Sequence, residues 1–480
     1  MNSQQLIAAA ITTRANDPTR LKEEVIAVVA RDGYAIRFVP LPLTTDVDVA
    51  MAAVTGNWEA LEHVALPLRA VPEIVLAAGS SDALKYAAAQ LREDREFMIT
   101  ACGRCQVGWH GKAWQYADRK LWHDKEFVVY VVSHFSHTLE HAASHLRADK
   151  EVVLAAVGYQ GIALRHASPD LRADKGVVLE AVAQDVYALK YAAATLQEDE
   201  EVALRAVTRS GCGLQFAGPT LRESKEFMLQ AVAINGLAVG DASPVLQANV
   251  EVMLTAAKQT GKVLKWAPAA LRGHPEVVLA AVTQKGSALQ YADWSLRDDW
   301  KFVLTAVTVN GLALKGAHYH MQRDKNMVLA AVTQTGLALK YAEKNMRSDP
   351  AVVLAAVTQN GLALQYAEKN LRADKDFVLE AVTRDAAALQ YADVNLQWSE
   401  AFVLEAVARN ARALEYAPEE LRSDKDFVLQ AVTLDGRALQ YAPQDLRTDT
   451  EVVQAAARKR LGGKGERVSD VADEVHGLST

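Results

Sequence analysis

The stretch from Asp324 to Ser348, DKNMVLAAVTQTGLALKYAEKNMRS, is followed without a gap by Asp349 to Ala373, DPAVVLAAVTQNGLALQYAEKNLRA, and the two agree at 18 of 25 positions. Self-similarity at a short fixed period is the signature of a repeat architecture and takes precedence over any single motif. The register holds without insertion or deletion from Asp124 to Asp449, thirteen units of 25 residues. Upstream, units begin at Leu21, Asp46, Val71 and Asp94; the unit at Val71 is two residues short and the unit at Asp94 five residues long. The count is about seventeen units over residues 21–448, with a half unit from Asp449.

Each position has a physical reading when the starting residue is counted as zero. Position zero is Asp, Ser or Asn in 13 of the 14 starts from Asp124 onward, as in Asp149, Ser224, Asn249 and Asp374. Such side chains accept from the open amides of a first helical turn. Acidic residues follow at Glu126, Glu151, Glu226 and Asp426, where they complement the positive end of a helix. The run Val352-Val353-Leu354-Ala355-Ala356-Val357 is apolar over more than half of a helix circumference, which predicts contacts on several sides. Gly stands at position twelve in nine of thirteen units, from Gly161 to Gly436. That spacing predicts a left-handed residue ending the first helix.

A second, shorter helix is predicted over Leu362 to Ala367. Position eighteen is Ala in all thirteen units, from Ala142 to Ala442, which predicts a helix approach too close for a larger side chain. Position fifteen is Leu twelve times, with Val239 the exception, and position twenty-two is always Leu or Met. Pro169, Pro219, Pro244, Pro268, Pro418 and Pro443 mark a one-turn connector, since Pro suits a first helical turn. Arg or Gln at position twenty-three is read as a strap to turn carbonyls or to the next Asp.

A unit built this way cannot bury its own face, so stacked neighbours supply the core. The fold class is therefore all-α: an α-solenoid, a superhelical array of about seventeen 25-residue helix-turn-helix repeats. Residues 1–20 are read as an N-terminal capping helix, 21–448 as a continuous array with an irregular unit at 94–123, and 449–480 as a C-terminal capping helix and tail. The register breaks at two places, near Gly240-Asp241 and near Gly316, where His318-Tyr319-His320-Met321 follows. Each is expected to change the local pitch or to offer a contact site.

The phrase D-K-x-[FV]-V-L-x-A-V-x-x-x-G-x-A-L-x-Y-A-x-x-x-L-R, carried in two consecutive copies by Asp374 to Arg422, resembles an uncharacterised repeat family, domain of unknown function four-one-one-six. The resemblance covers nearly the whole chain and is weakest over Leu21 to His123. It implies no activity, because that family has no assigned chemistry and no catalytic residues to carry over.

Composition agrees with the repeat. Half of the 480 residues are hydrophobic and only 7% aromatic, so Ala, Val and Leu carry the apolar share, as helix interfaces favour. The net charge of -7 is unsuited to general nucleic-acid binding, which rests on phosphate neutralisation. Three cysteines make no disulfide framework, and a soluble, intracellular setting is the expectation, with the compartment left open. The start, Met1 to Ala15, reads as a small amphipathic helix rather than a secretory signal, and no apolar run is long enough for a transmembrane segment.

Chemistry-bearing motifs are few. Neither a dinucleotide-binding nor a phosphate-loop pattern occurs in its required context. His137-Thr138-Leu139-Glu140-His141 spells the inverted zinc-protease pattern, which on an α-helix sets both His on one face. Leu139 and Ala142 keep their ordinary columns, so the match is read as chance. Six of the twelve histidines fall between His110 and His145, beside the Cys102-x-x-Cys105 pair. Cys102, Cys105, His110, His137 and His141 are the residues that come nearest to a zinc set. Cys102 falls in a core column and no second pair exists, so no metal, no cofactor and no catalytic residue is assigned, and the chain is read as no enzyme.

The function read from the sequence is a non-enzymatic scaffold for protein partners, or a structural subunit of a larger assembly. On the first helix, positions two, six and nine face outward, and position six varies most. Glu180, Arg205, Gln230, Thr305, Glu380 and Glu405 of that column are the candidate partner-binding residues, on a face expected to be concave. One alternative is an RNA-binding helical repeat protein stacking bases on the Tyr column, Tyr191 to Tyr441. The mixed charge of the outward columns and the packing position of those tyrosines speak against it. The other alternative is a metal-binding site near residues 102–145.

Overall fold

Asp349 shows how a unit begins. Its Oδ1 accepts from the amides of Ala351 at 3.0 Å and Val352 at 3.2 Å, and a ten-residue α-helix runs Pro350–Gln359. The same device opens Lys150–Tyr159, Lys175–Gln184 and Lys375–Arg384. At His274, the start without cap chemistry, no side-chain cap bond forms and Pro275 takes the first helical position, where its fixed φ is already helical. The computed structural model describes residues 2–14, 16–104 and 112–460. It is an all-α repeat array with no strand among the described residues.

The ten-residue helix does not end in a left-handed glycine. Asn360, at φ -159° and ψ 113°, is extended, and its N–H still donates to Ala356 O. Among the described residues the only glycine with positive φ is Gly79, at 66°. The repeated glycines serve a different need. A β-carbon on Gly236 would stand 2.5 Å from Ala256 O, and on Gly261, Gly311 and Gly336 it would overlap Ala281 O, Ala331 O and Ala356 O. The backbone of the next unit's helix passes through the space a side chain would need, and glycine permits that approach.

The second segment is a 3-10 helix, Gly361–Tyr366. Its bonds run back three residues, Ala363 N to Asn360 O at 2.9 Å and Ala367 N to Leu364 O at 3.0 Å. With about three residues per turn, positions twelve, fifteen and eighteen share one face. Gly361, Leu364 and Ala367 are all buried there. The Gly, Leu and Ala that recur in this segment are thus spaced by the 3-10 period.

The connector is the single turn expected, Pro169–Arg172 in one unit and Glu419–Ser423 in another. Its entry residue reaches back to the preceding unit: Ser168 N donates to Arg147 O at 2.9 Å, Glu368 N to Arg347 O at 3.0 Å and Asp393 N to Arg372 O at 2.7 Å. Glutamine at position twenty-three straps turn carbonyls as read from the sequence; Gln247 Nε2 donates to Gly240 O and Ala242 O, both at 3.0 Å. The arginines differ. Arg347 pairs with Glu368 at 3.2 Å through its terminal nitrogen, while its buried Nε, like those of Arg147, Arg172 and Arg372, makes no hydrogen bond.

The core is a column structure. Val352, Val353, Ala356, Val357, Ala363 and Leu364 are completely buried, and Ala367 and Leu371 nearly so. Fully burying a Val or Leu side chain contributes about 1.5–3 kcal/mol, and each unit repeats the set. Polar side chains close the edge of the stack. Lys125, Lys150 and Lys175 each reach the cap Asp one unit on, at 2.8, 2.7 and 2.8 Å.

The chain packs as two compact units, Met1–Leu221 and Arg222–Thr480. In the first, the helix Ser3–Arg14 buries Ile7 and Ala10. The two residues missing from the unit at Val71 come out of its first helix, which is only Pro72–Ala77 and is followed by Gly79. The five-residue excess of the unit at Asp94 falls between the helix Arg95–Arg104 and the 3-10 helix Ala113–Tyr116. In the second unit the last helix is Thr450–Arg460, and the tail beyond it lies outside the described residues.

Candidate interaction surface

Position five decides the shape of the exposed helix face. Its Leu is flanked by positions two, six and nine, and its coverage varies along the array: Leu354 and Leu379 are buried. Leu179, Leu204, Leu404 and Leu429 are intermediate in exposure, whereas the Val and Ala columns beside them are closed to solvent. Between successive helices this leaves a groove. In the first compact unit a groove of about 440 Å³ is lined by Leu179, Leu204, Glu180, Glu201, Arg205 and Thr208. In the second, one of about 410 Å³ is lined by Leu404, Leu429, Gln430, Thr433 and Leu434. The two share columns five, six and nine of the repeat; Glu201 of column two edges the first and Leu434 of column ten the second.

Position nine completes the floor. Thr208 Oγ1 donates to Leu204 O at 2.9 Å and Thr433 Oγ1 to Leu429 O at 2.7 Å. These hydroxyls are satisfied within their own helix, which leaves little for a partner to desolvate.

The predicted position-six residues separate into groups. Glu180, Arg205, Gln230, Thr305 and Glu380 are exposed and Glu405 is half-buried. The fold brings Glu180 and Arg205 together in the first groove. Glu380 is paired with Arg384 at 2.7 Å. Glu405 meets Lys375 at 2.9 Å and Arg409 at 3.5 Å. The hydrogen bond from Lys375, followed by Arg409, holds the Glu405 carboxyl below its usual range. Thr305 Oγ1 donates to Lys301 O. The grooves also use residues that the column reading passed over, chiefly the Leu column. The signal was present in Leu at the border of the apolar arc, but a helical wheel assigns such a residue to the core.

The histidine-rich segment is a packing cluster. Ser136–His141 is a 3-10 helix, in which residues four apart are offset by about a third of a turn, and His137 and His141 converge on one indole. Both rings lie against Trp114, at 5.4 and 5.3 Å between centroids, and His141 also meets Trp122 at 5.4 Å. Burial, with Lys112 nearby, pushes the His137 imidazole pKa down. Cys102 is buried in the core of its helix. Cys105 and His110 lie outside the described residues. Among the described residues, Cys102, His137 and His141 belong to no group of converging ligand atoms.

The tyrosines of position seventeen, among them Tyr341, Tyr366 and Tyr416, are half-buried. Lys315 and Lys340 sit over the rings of Tyr341 and Tyr366, one unit on, at 5.9 and 5.8 Å. Among the described residues no helix is long and apolar enough to cross a membrane.

A family model described as Domain of unknown function (DUF4116) matches residues 149–197, 199–247, 249–297, 299–347, 349–397, 399–447 and 424–460. The matches cover well over half of the chain. Each begins on a cap residue and all but the last span two of the 25-residue units, so the family's module is a pair of repeats. No curated protein and no solved structure matches the chain.

Proposed function

The chain belongs to the family described as Domain of unknown function (DUF4116), and from its repeat geometry we propose that it is a non-enzymatic scaffold for protein partners. It acts alone or as a structural subunit of a larger assembly. The observation that carries this reading is a groove over the Leu column, bordered by columns six and nine, that occurs in both compact units. A half-exposed Leu floor, edged by Glu and Arg in the first groove and by Gln430 and Leu434 in the second, suits a peptide or helix with apolar anchors and a mixed polar face. The same mixture gives no continuous basic track for a phosphate backbone.

The test is affinity purification of the full chain from its native source, in parallel with a Leu204→Glu, Leu429→Glu variant. Circular dichroism confirms that the variant is folded. The expected result is a protein partner that resists nuclease treatment and is lost from the variant. Recovery of the chain alone under gentle conditions, or of RNA that moderate salt removes, overturns the reading.

A further inference from the structure

We propose that Asp298, His318 and His320 form a binding site for a divalent transition-metal ion, zinc foremost. The site arises where the register breaks. Gly316 replaces the usual Tyr, and a β-carbon there would stand 2.7 Å from Leu289 Cβ and overlap the Leu289–Gln290 backbone. Two successive 3-10 helices, Gly286–Tyr291 and Gly311–Gly316, therefore approach with no side chain between them. The connector that follows is also rebuilt: in place of the one-turn α-helix, a turn through His318 to His320 leads into a short 3-10 helix, Met321–Arg323.

This rebuilding sets two imidazoles against the last residue of the preceding unit. In one other unit a carboxylate of this column serves the connector: Glu198 accepts from the amides of Thr220 and Leu221 at 3.4 and 3.3 Å. At Asp298 it faces histidines instead. Asp298 Oδ1 lies 3.4 Å from His318 Nδ1 and 3.6 Å from His320 Nδ1, and the two ring nitrogens lie 2.8 Å apart. The three potential ligand atoms fall within 4.8 Å of one another.

Donors about 2.0–2.2 Å from a tetrahedral zinc ion stand roughly 3.3–3.6 Å from each other. Both carboxylate–imidazole separations match that spacing, and the ring nitrogens need to part by only about half an ångström. Two imidazoles and a carboxylate are a donor set that zinc and its neighbours in the first transition row accept. Arg297, the cation next to Asp298 in sequence, is held away from the carboxylate's task by donating from Nε to Gly316 O at 2.6 Å. All three side chains are exposed, so water completes the coordination.

The test uses the full chain, stripped with chelator, dialysed and titrated with zinc chloride under calorimetry. It is run beside His318→Ala/His320→Ala, Asp298→Asn and the control His137→Ala/His141→Ala. The expected result is a micromolar site of one zinc per chain, weakened by at least about 10–100-fold in the first two variants, since loss even of an outer partner of a ligand has that effect. The control retains it. Cobalt(II) added to the wild type gives a d–d absorption band that Asp298→Asn loses. The proposal is overturned if no such site appears, or if both ligand variants, folded by circular dichroism, bind zinc as the wild type does.

Discussion

Lys325 Nζ and Asp349 Oδ2 lie 2.7 Å apart and join the first helical residue of one unit to the cap of the next. The two carboxylate oxygens of Asp349 divide the work: Oδ1 caps its own helix and Oδ2 receives the lysine. The hydrogen bond from Lys325 holds the Asp349 carboxyl below its usual range. Asp149, Asp174 and Asp449 are lowered in the same way by Lys125, Lys150 and Lys425.

Stability is therefore expected to fall in acid in a defined window. A carboxyl group with a lowered folded-state pKa contributes stability that is fully present above its unfolded value, about 3.9 for Asp. That contribution is lost as pH falls through the lower, folded value. The share of the denaturant midpoint that these carboxylates supply, read as the difference from a variant lacking them, should stay level from neutral pH to about pH 5 and drop below about pH 4. A variant carrying Asn at Asp149, Asp174 and Asp349 should show a shallower drop. Equal acid sensitivity of the two chains would count against the ladder.

The two roles of Asp349 can be separated. Asp349→Asn keeps an oxygen for the cap and loses the ion pair, at a cost of at most about 1 kcal/mol near neutral pH. Asp349→Ala also opens the cap and should cost about 1–2 kcal/mol. Urea unfolding of both variants checks the order.

Glycine at position twelve should not tolerate bulk. Gly336→Val is expected to destabilise by about 1–3 kcal/mol, the cost of overpacking, because its β-carbon overlaps Ala356 O. Gly158, inside a helix with open space where a β-carbon would stand, behaves oppositely. Gly158→Ala should stabilise by about 0.5–1 kcal/mol. Thermal midpoints of the pair decide whether contact or helix propensity governs these glycines.

Gln397 Nε2 donates to Leu389 O, Gln390 O and Ala392 O at 3.3, 2.7 and 3.0 Å. Leu389 O also accepts from Ala392 N, so Gln397→Leu chiefly strips the part-buried Ala392 O of its donor and should cost about 1–3 kcal/mol. Gln397→Arg, the other residue this column uses, should cost less. Unfolding midpoints of the two variants in the same buffer test the strap.

His166 stands in the Tyr column, where burial and then Arg165 push its imidazole pKa down. A His whose folded pKa lies below its unfolded value stabilises the fold above about pH 6.5 and loses that stability as pH falls. His166→Tyr should therefore raise the thermal midpoint at pH 5.5 while changing it little at pH 8. A difference of the same size at both values would assign the effect to packing.

Much of the architecture was legible from column identity. Asp349 as a cap, the Val and Ala columns as core, the one-turn connector Glu419–Ser423 entered through Pro418, and Gln397 as a strap all follow from what a residue does with its nearest neighbours in the chain. The Leu groove was less legible, because the half exposure of Leu204 and Leu429 depends on how far apart two helices stand.

The repeat, its 25-residue period, its all-α character and the polar caps of most of its ten-residue helices were determined by the sequence alone, because local hydrogen bonding and apolar periodicity act over a few residues. Tertiary structure decided the rest. It made the second segment a 3-10 helix, and it placed Gly336 for the carbonyl of Ala356 in the next unit rather than for a left-handed turn. It also brought Asp298 to His318 and His320. Each of these depends on a distance between units, which periodicity within a unit does not contain.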